Sequence, residues 1–600
     1  MERTGDYFVR TVIILAVFLA LSAVSYGQGL TAVTGRVTDP TGAVIPGVTV
    51  TVTNVATAAS REVISNEQGI YAATQLQPGT YNIKAELAGF KPNVANAVVL
   101  PVDQTITLNF PMSVANTSEV VTVESSAEVV NTENAQLGNN FTSKEIIDLP
   151  LNARNIVGLL SLQAGVSANP VDANGNATST TTSGFVNGAR NDQQNIVLDG
   201  VDNNQFQAGG AFTGVLPTTL DSVQEFIVQT SGQNASSSRS SGAQVQLVTK
   251  SGSNAFHGSM YEAYRSKVTT ATPYFNGQAT PKPGLIRNIP GGSVGGPVIK
   301  NKLFFFGAYE RHTDRSQTSV TRTVPTSTYL NGIFRYQRTN AAVKSGLDPY
   351  GTLTQGCGGQ LGMITGIPCD TLNPALFGAD GYMQQYADYI NNPGKYGGHL
   401  VCPTDCSNFQ NFTFNAPNIV NQNIYISRWD YTINSKNTVY VRGTLNNSAT
   451  IGAPTFPDKN NGLTTYDNSK GFSASLNSVL SPTWNNNFTA GLTRQGGNTT
   501  GTAAVVYNFG PTNPLQTTGA NRSAIDTWNF VDNLSWIKGA HSWSAGINLN
   551  FVDNNVKSYS QVSPGNFSSA ANYTTGDFAT TCSLTCGPAL GSDYANVNNY

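Results

Sequence analysis

The second half of the chain alternates between apolar and polar residues. In NIYISRWDYTI (423–433), Tyr425, Trp429 and Tyr431 fall on one side of an extended strand, and Arg428 and Asp430 on the other. After the turn NSKN, TVYVRGTL (438–445) sets Val439 and Val441 against Tyr440 and Arg442. A second pair is GFSASLNSVLS (471–481) and NFTAGLTRQ (487–495), joined by a turn at Pro482–Asn486. A third is TWNFVDNLSW (527–536) and SWSAGINLNF (542–551), joined by IKGAH, with Trp543, Ala545, Ile547, Leu549 and Phe551 on one face. Strands of about ten residues, apolar on one face and polar on the other, with aromatics near their ends, predict a large antiparallel transmembrane β-barrel over 253–600. Only closure satisfies every backbone group in lipid. A soluble sandwich shows the same alternation, so the pattern alone does not choose between them.

The first half is built differently. In 30–112, GRVTDPTGAVIPGVTVTVTNV contains an alternating strand (Val48, Val50, Val52) after a turn on Asp39, Pro40 and Gly42. Turns at Asn66–Gly69 and Gln77–Gly79 divide the remainder into further short strands. This spacing predicts a β-sandwich. In SVANTSEVVTVESSA (113–127), Val120, Val121 and Val123 sit among polar residues, with no turn signal and no partner strand nearby. Such a segment suits lending its backbone to another protein's sheet edge; the alternative is one more strand of the sandwich. Residues 128–252 mix elements into an α+β domain. A short helix begins with Ser143, Lys144 and Glu145 and stops before Pro150, and a second lies around Ile156–Leu162. Strands follow at Val223–Phe226 and Val245–Val248, joined by a Ser-rich loop at 236–242. Asp199-Gly200 is a turn signal. Asp199 and Asp202 are too few carboxylates for a metal site.

Composition supports this reading. Only 11% of the 600 residues are charged, yet mean hydropathy is −0.18, because uncharged polar residues and 59 glycines fill the gap. That suits sheets with one wet and one apolar face. A content of 9% aromatics argues against disorder. A net charge of −2 without a Lys/Arg cluster gives no support for nucleic-acid binding. Arg3 and Arg10 precede the apolar run TVIILAVFLALSAV (11–24), with small residues at Ser25 and Gly27. This predicts a signal peptide over 1–27, the run being short for a membrane anchor. Six cysteines fall into local pairs, Cys357 with Cys369, Cys402 with Cys406 and Cys582 with Cys586, which after export suit loop disulfides. Fifteen pairings remain open, and a zinc site is the weaker alternative, since no histidine lies near the Cys-x3-Cys pairs.

One segment bears on catalysis. GGSVGGPV (291–298) fits G-x-S-x-G around Ser293, and its glycines also suggest a phosphate cradle. A phosphate loop needs Lys-Ser/Thr after the glycines, and none follows. A nucleophile elbow needs a helix just past the serine, which Pro297 and the strand-like LFFFGAYER exclude. The four histidines, His257, His312, His399 and His541, form no readable base–carboxylate arrangement. The segment therefore reads as a glycine-rich bend in an early barrel strand, with IKNK as the following turn. Neither an enzyme nor a cofactor is expected.

Two regions resemble known families. GRVTDPTGAVIPGVTVTV with GIYAATQLQPGTYNIKAELAGFKP resembles the carboxypeptidase regulatory-like domain, an immunoglobulin-like sandwich sometimes classed as carbohydrate-binding-like; the name implies no peptidase activity. LPLNARNIVGLLSLQAGV, VNGARNDQQNIVLDGVDN, VQEFIVQTSG and SGAQVQLVTKSGSNAFHGS resemble the plug domain of TonB-dependent outer-membrane receptors, in the Oar-like branch that carries such an N-terminal domain. The resemblance implies a TonB box at Glu119, Val120, Val121, Thr122, Val123 and Glu124, within a linker over 113–127. It also implies a plug over 128–252, a periplasmic N-terminal domain, and outer-membrane lipid and TonB or a TonB-like energising protein as partners. The expected function is energised uptake of a scarce or large ligand, whether siderophore, glycan, peptide or cobalamin; the alternative is a structural or adhesive surface protein. A plugged barrel of this kind has about 22 strands, whereas about ten to twelve are visible in 253–600. The sequence is therefore expected to be a fragment forming an open, curved sheet.

Overall fold

The computed structural model describes residues 31–114, 121–124, 136–151, 154–169, 183–190, 193–206, 214–232, 241–271, 282–327, 387–401, 409–454, 456–457, 463–500, 508–509, 519–539, 541–560 and 566–567. The expected signal segment, Glu119 and Val120 lie outside these residues. So do Cys357, Cys369, Cys402, Cys406, Cys582 and Cys586, and with them the three expected loop disulfides.

Nine strands form the N-terminal sandwich: β1 (Thr31–Thr38), β2 (Thr49–Asn54), β3 (Ser60–Ile64), β4 (Ile70–Leu76), β5 (Gly79–Glu86), β6 (Asn93–Leu100), β7 (Thr105–Thr107), β8 (Phe110–Pro111) and β9 (Val121–Glu124). One sheet runs β4-β1-β7 with β8 also on β1; the other runs β3-β2-β5-β6-β9. Strict alternation sends Val33 and Val37, Val50 and Val52, and Ile83 and Ala85 into one shared core with Tyr71, Leu100 and Phe110. The first turn is closed by the Asp39 carboxylate, which accepts the backbone N–H groups of Thr41 and Ala43.

An inner domain follows, with β10 (Leu137–Thr142), helix α1 (Ser143–Asp148), the hairpin β11 (Val166–Asn169) and β12 (Ser183–Val186), then β13 (Asn195–Leu198), β14 (Val201–Asp202), β15 (Val223–Ser231) and β16 (Gln244–Thr249). Its main sheet has the order β10-β15-β16-β13-β14 and is antiparallel except at β13–β16. The cap of α1 is Thr142, one residue earlier than the sequence suggests, because Thr142 and Glu145 form the reciprocal capping box. The second helix is a 3-10 turn at Ile156–Leu162. Every residue of β16 is buried, as in strands covered on both faces.

The third unit is an eleven-stranded antiparallel sheet: β17 (His257–Ser266), β18 (Leu285–Ile299), β19 (Leu303–Pro325), β20 (Gly398–Val401), β21 (Phe409–Asn434), β22 (Asn437–Ile451), β23 (Thr464–Asp467), β24 (Lys470–Ser481), β25 (Trp484–Thr500), and, after the two-residue β26 (Asn508–Phe509), β27 (Gly519–Lys538) and β28 (His541–Ser560). Its path runs from β17 to β28, and among the described residues these two edges do not pair with each other. Short turns gather at one end, between β18 and β19, β21 and β22, β24 and β25, and β27 and β28. The third of these comprises only Pro482 and Thr483, tighter than the sequence suggests, because Ser481 already pairs with Trp484. β19 and β21 run on for 23 and 26 residues, well past the length that crosses a bilayer.

Burial across this sheet is inverted relative to a soluble protein. Many inward positions are polar and sealed, with Arg428 3% exposed, Arg442 1%, Asn446 0% and Asn529 1%, beside a small apolar cluster of Phe306, Ala308, Ile424 and Ile426. Outward positions are apolar and open, with Trp429 47% exposed, Leu445 52% and Trp543 58%. A second sheet packed on that outer face would have buried it, so the sandwich alternative for 253–600 fails. A surface of this kind is at home in hydrocarbon. No helix among the described residues is long and apolar enough to cross a membrane.

Candidate functional site: where the inner domain meets the wall

The hairpin linking β13 to β14 is the centre of the contact. Asp199 and Gly200 both have positive φ, 48° and 78°, as a two-residue type I′ turn requires. That turn pushes the Asp199 carboxylate towards the wall. One oxygen faces Arg428 Nη1 at 3.4 Å, and the other accepts Arg442 Nε at 3.1 Å. The backbone N–H and the hydroxyl of Thr249, on neighbouring β16, complete its shell at 2.8 and 2.9 Å. Arg428 is shared with Asp430 and stacks on the Tyr440 ring, 4.3 Å from its centroid. The backbone is gripped as well. Tyr440 and Ser473 donate to the Asp199 carbonyl, Arg442 to that of Leu198, and Thr493 to that of Asp202. Asn529 accepts the Asp202 N–H, and Asn550 donates to its carboxylate. Side chains from β21, β22, β24, β25, β27 and β28 thus converge on one turn. With its oxygens committed to two guanidiniums and Thr249, Asp199 is an ionic anchor.

A second contact explains the glycine-rich segment. Tyr261 on β17, Gly291 on β18 and Glu310 on β19 stand in register across three strands. A Cβ at Gly291 would lie 2.3 Å from the Tyr261 hydroxyl. The missing side chain therefore lets the tyrosine cross β18 and donate to Glu310 at 2.5 Å. Glu310 also takes His312 at 2.7 Å and Arg154 of the inner domain at 3.1 Å, while Arg154 reaches Asp221 at 2.6 Å and lies over the Tyr261 ring. Ser293 sits mid-strand beside Ser259, Oγ to Oγ 3.0 Å, and β18 runs past it to Ile299. The elbow that a nucleophile needs is not formed at this serine.

At the short-turn end the sandwich docks on both other units. Thr74 meets Ser535, Gln75 donates to the Asn533 carbonyl, and Asn66 donates to that of Gly539. Arg61 binds Asn485. The loop after β6 enters the inner domain, where Val102 packs against Ile227 and Val248 and its N–H donates to Glu225 at 2.9 Å. The Asp103 carboxylate accepts Gln229 at 2.9 Å and Gln246 at 3.2 Å. Burial pushes Asp103 up to about 6, against the two amide hydrogen bonds. Burial likewise raises Glu225, against Asn140 and the Val102 N–H.

Of the candidate handle, residues 121–124 form β9, which pairs in parallel with β6, Asn93 opposite Val121 through Asn96 opposite Glu124. Residues 121–124 are thus one more strand of the sandwich, the alternative reading of this segment, and their partner is distant in sequence. A parallel neighbour is reached only through a long crossover, so it cannot sit nearby in sequence. The anchor was missed for a similar reason. Asp199 was legible as a turn, and Arg428 and Arg442 as inward residues, but nothing in linear spacing joins them.

Residues 248–597, more than half the chain, match the family model described as outer membrane beta barrel domain. The chain belongs to this family. Residues 32–113 of this outer-membrane barrel protein match the carboxypeptidase regulatory-like domain. Over 330 residues it is 25% identical to the TonB-dependent transporter Oar of Myxococcus xanthus, covering 52% of this chain and 29% of that protein. The barrel chain thus spans under a third of that curated relative's length. Among solved structures it is similar to the outer membrane transporter YddB from Escherichia coli, with TM-score 0.43, 11% identity, 70% of this chain and 52% of that one. It is also similar to BauA, the ferric preacinetobactin receptor from Acinetobacter baumannii, with TM-score 0.34, 10% identity, 70% of this chain and 60% of that one.

Proposed function

We propose that this chain is an energised outer-membrane receptor and transporter, with residues 128–252 as a displaceable plug, 253–600 as barrel wall and the sandwich in the periplasm. The observation that carries this reading is the grip on the 198–202 hairpin. A folded domain occupies the inner face of the wall and is held there by ion pairs, hydrogen bonds and packing, as where Arg154 lies over the Tyr261 ring. Such a domain can be moved without breaking a covalent bond. The outer membrane has no nucleotide supply, so work must arrive mechanically from the periplasmic side, through TonB or a similar protein. Residues 119–124 are the proposed point of attachment, since backbone pairing holds along its axis and remains reversible. The cargo is a scarce or large molecule bound without chemistry; siderophore, glycan and peptide remain equal candidates.

Val121→Pro tests the attachment, because proline removes a backbone donor from the strand. The nutrient is first identified as the one whose limitation arrests a deletion strain. The variant is then expected to assemble in the outer membrane at wild-type level and to lose energy-dependent uptake. Uptake at the wild-type rate removes residues 119–124 from the mechanism. One observation favours a second reading, adhesion. β19 and β21 extend beyond the membrane and carry their own aromatic core, in which Tyr389 stacks on Phe456 at 4.7 Å and packs on Phe412. Surface attachment that persists when the energising system is deleted supports that alternative.

A further inference from the structure

β9 lies on β6, and β6 runs directly into the loop that enters the inner domain. Three links therefore stand in series. Backbone pairing joins Val121–Glu124 to Asn93–Asn96. Covalent chain joins β6 to Val102 and Asp103. Hydrogen bonds and apolar contact join Val102 and Asp103 to Glu225, Gln229 and Gln246, with Ile227 and Val248. These last residues lie on β15 and β16, central strands of the inner sheet. The direct covalent route from β9 to β10 passes through residues 125–135, whose contour length is at most about 36–40 Å. The route through β6 is joined at each step by the pairing and contacts just given.

We infer that the sandwich is a force adapter: pull on the β9 segment is passed to the inner domain through β6 and the Val102–Asp103 latch. This deepens the reading of residues 119–124 as the pulled segment and rests on it. The Asp103 backbone is set for the task. Its φ of 55° turns the chain sharply after Val102 and brings both residues onto the inner sheet. The outer contacts of the sandwich, Thr74 with Ser535 and Asn66 with Gly539, then fix where it detaches from the wall.

Single-molecule pulling on the purified full-length chain in detergent micelles tests the order of events. The tether is a biotin-bearing residue at Glu124, and the anchor a tag at the C-terminus. The first rupture is expected to be release of the latch. Asp103→Ala, or Gln229→Ala with Gln246→Ala on the other side of the contact, should abolish that peak. Twenty Gly/Ser residues inserted within 125–135 should leave its position unchanged and shift only later events, by about 70 Å. A first peak that moves outward with the insertion and ignores all latch substitutions overturns the inference. The two claims separate by readout, since energy-dependent uptake reports on whether this segment is pulled at all, and the rupture record of the latch variants on where an applied pull goes.

Discussion

Asp199 and Asp103 are carboxylates at domain contacts with opposite surroundings. Asp199 faces two guanidiniums in a site sealed from water, so removing its charge takes the paired carboxylate from buried Arg442 and leaves Arg428 to Asp430. Breaking a buried pair from one side costs about 3–5 kcal/mol. Asp199→Asn keeps a residue that tolerates the left-handed turn and isolates the loss of charge. Amide exchange across 195–202 should accelerate by two orders of magnitude or more, about 3 kcal/mol, with the sandwich unaffected. Exchange at the wild-type rate removes the anchor. Among the described residues Asp103 faces two amides and no cation, and Glu225 lies in the same contact. Its docked pKa stands above that of a free carboxylate, so the docked state holds its proton more tightly. Docking therefore strengthens as pH falls through about 6 towards the free value near 3.8, and weakens above 6. Cross-linking between the sandwich and β15 should rise from pH 7.5 to pH 5. In Asp103→Asn the rise should shrink to the part due to Glu225, whose shift has the same sign. A rise equal to wild type in that variant assigns the effect elsewhere.

At the scale of elements, legibility followed the range of the pairing. Hairpins of the wall could be read because alternation and turn sit side by side in sequence, and Arg428 and Arg442 emerged facing inward as the pattern required. β15 and β16 were visible for the same reason, as neighbours joined by one loop. The reach of β19 and β21 was hidden, because the far part of β19 is mostly polar and its partner stretch in β21, where Phe412, Phe414 and Ala416 alternate into a buried core, lies beyond a long insertion in the sequence. The β6–β9 pairing and the anchor were hidden because each joins residues distant along the chain. GGSVGGPV shows a third case. Its glycines were expected to bend the strand, whereas β18 runs through them to Ile299, and the need for Gly291 depends on a tyrosine of one neighbouring strand reaching a glutamate of the other.

At the scale of the whole molecule, aromatic rows mark where the wall meets its solvents. Near the short turns Trp484, Trp536 and Trp543 stand in one register row, the first two stacked at 5.1 Å. Higher on the same strands Phe472, Leu492, Trp528 and Phe551 form another. From Trp536 to Trp528 is a span of about 27 Å along the strand, or about 21 Å of height at a tilt near 40°. Just above the upper row Arg494 pairs with Asp526 on the outer face, where water must resume. One polar pair, Asn486 with Asp532, interrupts the band and is satisfied internally. Two aromatic girdles at that spacing match an apolar band of about 25 Å, and Trp429 lies between the two levels, five residues above the β21 turn. Single-tryptophan variants in vesicles of brominated lipid should resolve this order. Bromine near the headgroups should quench Trp484, Trp536, Trp543 and Trp528 most strongly, and bromine deep in the acyl chains should quench Trp429. The inverse ranking, or no quenching at any depth, would place this face against something other than hydrocarbon. The inverted burial of the sheet would then require a protein partner over the same surface.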